Sequence, residues 1–341
     1  MADQLPTAGD NVAQLPAEIA PAERRLTAAE FRGLADVPPE FEWFENLKNP
    51  GTKRIYKNAV RDFMRFTGIA RPEEFRIVTR AHVIAWRDDL ERRQIGGATN
   101  KRNPAGCTIR NRLAALSSLF EYLCNKNAVS DNPVNGVKRP KTQSGEGSTP
   151  TIGDHQARQL LAAPATETVK AKRDRAILST LLYHALRREE LCKLKVSDFR
   201  HARRGVPHLK IEGKGEKTRY VPIHAATNAL IHDYLEAAGH GGDENGALFR
   251  PIKNNRTKTL LQALTPDAVY KLVKAYSAQL GLDKPIGAHA LRATAATNAL
   301  DNQADIAKVQ EWLGHANIAT TRIYDHRKTR PEDSPTFKVV Y

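Results

Sequence analysis

The stretch PHLKIEGKGEKTRYVPI, residues 207–223, decides the fold class because the spacing of its apolar residues changes there. Leu209 and Ile211 alternate with polar residues, as they do in a half-buried strand. A Gly-Lys-Gly turn follows, and residues 218–223 are again rich in residues that favour extended chain. We predict a β-hairpin here, with Lys214 near its tip.

Helical patterns surround this hairpin on both sides. Residues 108–124, TIRNRLAALSSLFEYLC, repeat apolar residues in steps of four and three, which predicts a helix with one buried face. Residues 52–68 predict another helix that ends at Gly68, with an apolar face formed by Ile55, Ala59, Phe63 and Phe66. Later helical patterns cover residues 224–238, 266–281, 288–300, 304–313 and 317–324. The predicted class is mainly α with a small β-sheet (α+β).

The domain organisation follows from shifts in composition along 341 residues. Residues 1–37 are rich in Ala, Pro and Glu and are predicted to form a disordered tail. A helical domain is expected over 38–136, followed by a basic linker with Gly, Ser and Pro over 137–151. A larger domain is expected over 152–326, with a short tail over 327–341.

The charge balance favours a polyanionic partner. Lys and Arg number 53 and Asp and Glu 38, a net charge of +15, which points most often to nucleic acid. A basic protein of membrane surfaces is the alternative, but we find neither a basic amphipathic helix nor a lipidation signal. No stretch approaches the roughly 20 apolar residues of a membrane span. The N-terminus also lacks a signal peptide, so the expected location is the cytoplasm.

Three scattered cysteines, Cys107, Cys124 and Cys192, predict reduced thiols and neither a disulfide framework nor a zinc site. We expect no metal and no cofactor.

Several local motifs have an ordinary explanation when each is taken alone. Arg187 in ALRREEL resembles a surface ion-pair residue, and His289 with Arg292 in HALR resembles a structural pair one helical turn apart. His315 follows a glycine that ends a helix, where a capping histidine is common. Tyr324 alone is more typical of a core aromatic.

Together, the order of these motifs resembles the tyrosine recombinase family, which comprises phage integrases and Xer-type site-specific recombinases. That family carries Gly-Leu-Arg-x-x-Glu-Leu, a lysine in a β-hairpin, His-x-Leu-Arg, Leu-Gly-His and then a tyrosine. Here they stand as ALRREEL, GKGEKTRYVPI, HALR and LGHANIATTRIY, over roughly residues 40 to 326. The resemblance implies a helical SAM-like core-binding domain plus a tyrosine-recombinase catalytic domain. It implies six catalytic positions: Arg187, Lys214, His289, Arg292, His315 and Tyr324.

Four residues depart from the family pattern. Ala185 stands where glycine is usual, Arg188 and Glu189 replace an apolar–serine pair, and Ala293 replaces a bulkier polar residue. None of them is one of the six catalytic positions. Arg187 is chosen over Arg188 because the motif aligns with Leu191 at that register.

The implied chemistry is cleavage of a DNA phosphodiester. Arginine presents a planar fork of permanently charged donors, so Arg187 and Arg292 would grip the non-bridging oxygens. His315 would add a third donor, which is electrostatic stabilisation of the transition state. Glu190 is expected to hold the Arg187 region by an ion pair.

Tyr324 would be the nucleophile. Its hydroxyl has an ordinary pKa of about 10 and therefore needs a base, for which His289 is the candidate. Lys214 could protonate the leaving 5′ oxygen. The resemblance implies a 3′-phosphotyrosyl intermediate and a free 5′ hydroxyl that allow rejoining without ATP. Tyr341 is the competing tyrosine, but no Leu-Gly-His motif precedes it at this distance.

Double-stranded DNA is the expected partner, bound mostly through phosphates. Five basic residues are candidate contacts, although a solvated basic face is an alternative for any one of them: Arg110, Arg112, Lys138, Arg139 and Lys141. By family resemblance we expect a homotetramer on two sites, or assembly with a paralogous recombinase. The tail 327–341 would dock on a neighbouring subunit, or alternatively on its own domain.

Two other functions remain open at this point. A type IB topoisomerase uses similar chemistry but is disfavoured by the Xer-like hairpin and the N-terminal helical domain. A catalytically inactive DNA-binding regulator or accessory protein is disfavoured because all six positions are present. Integration, excision and resolution of DNA are not distinguished by the sequence.

Overall fold

The computed structural model describes residues 39–96, 101–141, 149–213, 217–253, 259–282 and 286–325, with residues 336 and 339. The chain divides into two compact units, Met1–Gln143 and Ser144–Tyr341. The predictions for residues 1–37, for Lys214 and for almost all of 327–341 therefore lie outside the described residues.

The described part of the first unit is helical. Its α-helices are α1 (Pro39–Asn46), α2 (Pro50–Thr67), α3 (Arg80–Arg92) and α4 (Gly106–Asn125), with a 3₁₀ turn at Pro72–Ile77. The apolar face predicted for residues 108–124 is confirmed, since five of its residues are buried in the core of this unit: Ile109, Leu113, Leu116, Phe120 and Leu123.

Helix α2 buries a narrower face than the sequence predicted. It ends as expected at Gly68, which has a φ of +80° and donates its N–H to the Met64 carbonyl. Phe63 is buried, but Ile55 and Phe66 are exposed, which corrects the predicted face. At about 100° per residue, Ile55 and Phe66 lie roughly 60–80° to the same side of Phe63 around the helix. They therefore fall outside the face that packs against the rest of the unit.

The second unit combines helices with one small sheet. Its helices are α5 (Asp154–Ala162), α6 (Val169–His184), α7 (Arg188–Lys193), α8 (Ala225–Ala238), α9 (Pro266–Gln279), α10 (Ala288–Asp301), α11 (Ile306–Leu313) and α12 (Ala319–Arg322). The prediction of a mainly α fold with a small β-sheet is confirmed. Within the described ranges, no helix combines the length and the apolarity that a membrane crossing requires.

The sheet is antiparallel, in the order β1 (His201–Arg203), β2 (Val206–Glu212) and β3 (Thr218–Pro222). The predicted hairpin is the pair β2–β3, in which Leu209 lies opposite Val221 and both are buried. Strand β1 was not predicted. It joins β2 through Arg204 and Gly205, both at positive φ, in a two-residue turn.

Helix α6 lies in the core of this unit and ends directly before the ALRREEL motif. Nearly every turn of α6 is buried, including its last residue, His184. The helix then ends at Ala185, which adopts a φ of +49° and is itself fully buried. Glycine is the residue best suited to this conformation, so Ala185 occupies a turn position where a glycine would be less strained. Arg187 follows at the start of α7.

Candidate active site

Arg187 and Glu190 are fixed together at the start of α7. One oxygen of Glu190, Oε2, accepts the backbone N–H of Arg187 at 2.9 Å. The other, Oε1, accepts Nη1 of the same arginine at 2.8 Å. Glu190 is buried, whereas the Arg187 side chain remains 40% exposed. The predicted ion pair is therefore present and leaves part of the Arg187 fork facing outward.

Arg219, on β3, is a second partner of Glu190 that the sequence reasoning missed. Its Nη1 and Nη2 donate to the two carboxylate oxygens at 3.0 and 2.8 Å, and its Nε donates to the Trp312 carbonyl at 3.2 Å. Burial opposes ionisation of Glu190, but Arg219 and then Arg187 outweigh it and lower the pKa of this carboxyl to about 2.

Arg292, on α10, is almost fully buried, at 1% exposure. Its Nη1 donates to the Ala185 carbonyl and its Nη2 to the Leu313 carbonyl. Burial lowers the pKa of Arg292 to about 10, and the nearby charge of Arg187 adds to this effect. The guanidinium is still charged at neutral pH. Two backbone carbonyls thus hold a buried cation in one orientation.

His315 follows Gly314, which ends α11 at a φ of +65°. Nε2 of His315 lies 3.0 Å from Nη2 of Arg292, and Nδ1 lies 3.0 Å from Oγ1 of Thr321. A guanidinium can only donate, so Nε2 is the acceptor, and the neutral ring carries its proton on Nδ1. Burial and then the charges of Arg292 and Arg187 lower the pKa of His315 to about 4.

The sequence suggested that His315 donates a hydrogen bond to the phosphate. In this structure, Nε2 accepts from Arg292 and has no proton to give. An anion bound beside Arg292 would favour the charged imidazolium, because an opposite charge raises a histidine pKa. Donation from Nε2 of His315 therefore requires a protonated ring.

Tyr324 is both a core aromatic and a neighbour of the motif residues. The residue is 3% exposed and belongs to an apolar cluster with Ala185, Ala293 and Leu313. Its ring stacks on the His315 imidazole, with centroids 6.1 Å apart and planes inclined by 25°. Oγ1 of Thr297 donates to its carbonyl at 3.2 Å. The tyrosine thus lies against its own chain's histidine.

His289, exposed on α10, faces a pocket of about 440 Å³. The pocket is lined by Arg187, Arg188, Glu189, Tyr270, Gly287, Ala288, His289 and Arg292. Partial desolvation of the ring and then the charges of Arg292 and Arg187 lower the pKa of His289. Its neutral form, which can accept a proton, is therefore favoured near pH 7.

Of the six predicted positions, Lys214 lies outside the described residues. Gly213, at the base of its hairpin, donates its N–H to the Lys217 carbonyl at 2.8 Å. A Cβ atom at Gly213 would lie 4.0 Å from Oε1 of Glu190, so the base of the hairpin lies next to the group formed by Arg187, Glu190 and Arg219. Among the residues described, no group of three or more histidine, cysteine or acidic side chains could hold a metal ion.

The five candidate DNA contacts differ in their surroundings. Arg110, Lys138, Arg139 and Lys141 are exposed. Arg112 is instead half-buried, and its Nη1 is paired with Asp62 at 2.6 Å. The sequence reasoning placed Arg112 with Arg110 as free to meet phosphate, but the structure gives its fork a carboxylate partner.

Comparisons with known proteins agree on one family. Residues 151–330 match the phage integrase family. The tyrosine recombinase XerD of Listeria innocua is 34% identical over 245 residues, which cover 70% of this chain and 79% of that protein. The tyrosine recombinase XerC of Syntrophus aciditrophicus is 30% identical over 297 residues, 85% of this chain and 93% of that protein.

Solved structures show the same fold at lower identity. The XerH site-specific recombinase bound to its palindromic difH substrate has a TM-score of 0.63 at 22% identity, covering 84% of this chain and 80% of that one. The lambda integrase dimer bound to a COC′ core site has a TM-score of 0.62 at 15% identity, with coverages of 91% and 84%.

Proposed function

The chain belongs to the phage integrase family and is a site-specific tyrosine recombinase, and we propose that its DNA strand exchange runs through a covalent 3′-phosphotyrosyl bond to Tyr324. The observation that carries this assignment is the joint position of Tyr324, His315 and Arg292. The ring of Tyr324 stacks on His315, whose Nε2 accepts from Arg292. A tyrosine hydroxyl, an imidazole and a charged guanidinium thus lie together in one chain, which supports these roles.

Arg187 and Arg292 bind the scissile phosphate in this mechanism. Arg292 is buried and held by two carbonyls, so it cannot turn away from the site. Arg187 is more exposed. Besides its bond to Glu190, its Nη1 and Nη2 donate at 3.5 Å to the carbonyls of Leu313 and Gly314, which leaves Nε and one proton of Nη2 for a phosphate. Because both charges are fixed before the phosphate arrives, the developing charge of the transition state meets donors that need no reorganisation.

Proton transfers complete the step. The Tyr324 oxygen attacks phosphorus and its proton passes to His289, which is neutral because its pKa is lowered. The bond between phosphorus and the 5′ oxygen breaks, and Lys214 gives that oxygen a proton. Attack by a free 5′ hydroxyl from another strand reverses these transfers and rejoins the DNA. His315 donates to the phosphate once the anion has raised its pKa.

A suicide-substrate assay tests this assignment. Nicked duplexes tiled across the DNA that flanks the gene are incubated with wild type and Tyr324→Phe, then run on a denaturing gel. We expect a covalent protein–DNA band from wild type and none from Tyr324→Phe. Tyr276→Phe is the matched control, since that hydroxyl bonds Asp174 in the same unit, at 3.0 Å, and its band should persist.

The other outcomes point to specific errors. A band from Tyr324→Phe would mean that another tyrosine attacks. If the wild type binds these duplexes but never forms a band, the chain acts as the DNA-binding regulator considered above. Binding to DNA without a covalent band therefore distinguishes a DNA-binding regulator from a recombinase.

Double-stranded DNA is the proposed partner, and a homotetramer on two sites, or an assembly with a paralogous recombinase, is the proposed active form. XerH and lambda integrase have been solved on DNA, the latter as a dimer. The predicted helical domain, over 38–136, would contribute DNA contacts and the predicted domain over 152–326 the chemistry. Mass measurement of the protein with one and two sites tests this, with four protomers on two duplexes expected.

The tail 327–341 is proposed to dock on a neighbouring subunit. Deletion of residues 331–341 should then reduce assembly on two sites while single-site binding persists. Unchanged assembly would assign the tail to its own domain.

A further inference from the structure

We propose that Arg219 is a positioning residue of this recombinase, which neutralises Glu190 so that Arg187 keeps donors free for the scissile phosphate. The inference rests on the proposed function of the same site. Arg219 is not among the six motif positions, and it does not face the pocket lined by Arg187 and His289. Its effect would therefore pass through Glu190 and not through contact with DNA.

The hydrogen bonds around Glu190 show how the two arginines share it. Arg219 donates to both carboxylate oxygens, at 3.0 and 2.8 Å. From its side chain, Arg187 donates to Glu190 only through Nη1, at 2.8 Å. A buried carboxylate with a single arginine would draw a bidentate pair from it, because the fork and the carboxylate match in geometry. Arg219 occupies that bidentate position and leaves the Arg187 side chain with one bond to Glu190.

Exposure separates the roles of the two arginines. The Arg187 side chain is 40% exposed, while that of Arg219 is only 15% exposed. Arg187 and Arg219 each carry a positive charge and share the single negative charge of Glu190. These three side chains together therefore keep a net positive charge beside Arg292. Without Arg219 the same group would be neutral. A neutral pair would attract a phosphate anion less strongly.

Arg219 also supports the turn that leads to His315. Its Nε donates to the Trp312 carbonyl at 3.2 Å. A side-chain carbon at Gly314 would lie only 3.2 Å from Nη1 of Arg219, so the guanidinium packs directly against that turn. The neighbouring Leu313 carbonyl accepts from Arg292. One side chain on β3 therefore holds both Glu190 and the turn that orients Arg292 and His315.

A double-mutant cycle between Arg219 and Glu190 tests the proposal. Wild type, Arg219→Gln, Glu190→Gln and the double variant are compared on the nicked duplex that traps wild type. The rate of covalent complex formation is measured at saturating DNA, with DNA affinity and thermal stability alongside. We expect Arg219→Gln to lower the rate about tenfold or more with little change in affinity, and this factor to shrink to about twofold in the Glu190→Gln background.

Two further variants keep the result interpretable. Arg219→Lys retains the charge without the fork and should react faster than Arg219→Gln, so it also serves if the glutamine variant folds poorly. Arg200→Gln is the matched control, because Arg200 pairs with Glu244 and shares no partner with the cluster. Its rate should equal that of wild type.

The proposal is overturned if Arg219→Gln slows cleavage by the same factor in both backgrounds, or does not slow it. It is also overturned if Arg219→Lys is no faster than Arg219→Gln. Absence of a covalent band from wild type would instead overturn the proposed function, so the two failures are distinguishable.

Discussion

Tyr324, the proposed nucleophile, is also a buried core aromatic. Its ring lies in a cluster built largely from alanines, among them Ala293 and Ala296. Small side chains on α10 leave room for a ring that must stay close to Arg292. The alanine at position 293, a departure from the family pattern, therefore belongs to the packing around Tyr324.

A buried histidine should make the stability of the second unit depend on pH. His184 is 1% exposed, and its Nε2 accepts the backbone N–H of His224 at 3.0 Å, which requires the neutral ring. Burial lowers the pKa of His184 from 6.5 to about 4. The folded state therefore binds fewer protons than the unfolded state between these values. The contribution of His184 to the free energy of unfolding is fully present above pH 6.5. It is lost as the pH falls from 6.5 through 4, by about 3 kcal/mol in total.

His184→Gln removes this titration while keeping an oxygen that can accept from His224. We expect the free energy of unfolding of wild type to fall more steeply below pH 6.5 than that of the variant, as measured by denaturant titration at each pH. His155→Gln is the control, because His155 is exposed on α5, and its profile should follow wild type. Identical profiles for wild type and His184→Gln would contradict the prediction.

At the scale of elements, the hairpin could be predicted and the first strand could not. Strands β2 and β3 show alternation around a glycine-rich turn, which is a strong local signal. Strand β1 has only three residues, His201–Arg203, too few to show a period. Helix bounds came within a few residues wherever apolar spacing was regular, as in α4 and α11.

The importance of Arg219 could have been predicted from its position in the hairpin, although it belongs to none of the family motifs. In the register of the hairpin, Arg219 lies opposite Ile211 and two residues before Val221, both of which are buried. Side chains alternate between faces along a strand, so Arg219 points to the apolar face. An arginine on that face predicts a buried carboxylate partner. Its identity, Glu190, depends on tertiary packing that local patterns do not encode.

Two helix-ending glycines allow a matched test of the turn before His315. Gly314 ends α11 at a φ of +65° and Gly239 ends α8 at +66°. An alanine at either position should cost about 1 kcal/mol of stability, because L-residues are strained in this conformation. At Gly314 the new methyl would also lie 3.2 Å from Nη1 of Arg219, whereas nothing lies within 4 Å at Gly239.

The two alanine variants should therefore differ in activity, and Gly314→Ala should be the less stable of the two because its methyl crowds Arg219. Gly314→Ala should slow covalent complex formation by about tenfold, since it displaces Arg219 and the backbone before His315. Gly239→Ala should cleave like wild type. Thermal unfolding and single-turnover trapping are the measurements. Equal cleavage rates for both variants would show that the turn tolerates displacement.

At the scale of the whole molecule, the net charge of +15 predicted a polyanionic partner but not where it binds. Charge counts do not reveal which basic side chains already have carboxylate partners. Arg110 and Arg112 lie two residues apart on α4, yet Arg110 is exposed and Arg112 is tied to Asp62. Asp62 also pairs with Arg93, at 2.6 Å, and accepts from Trp86. Such pairing depends on α2, α3 and α4 meeting in space.

This pair of arginines should separate DNA binding from folding. If Arg110 contacts a phosphate, Arg110→Ala should reduce the slope of log affinity against log salt concentration by about 0.9 and leave stability unchanged. Arg112→Ala should leave that slope unchanged and cost about 1–2 kcal/mol of unfolding free energy, because Asp62 loses a charged donor. Titrations of duplex DNA at several salt concentrations and urea unfolding provide the two measurements. An unchanged slope for Arg110→Ala would assign Arg110 to a solvated basic face. A reduced slope for Arg112→Ala would mean that DNA competes with Asp62 for that guanidinium.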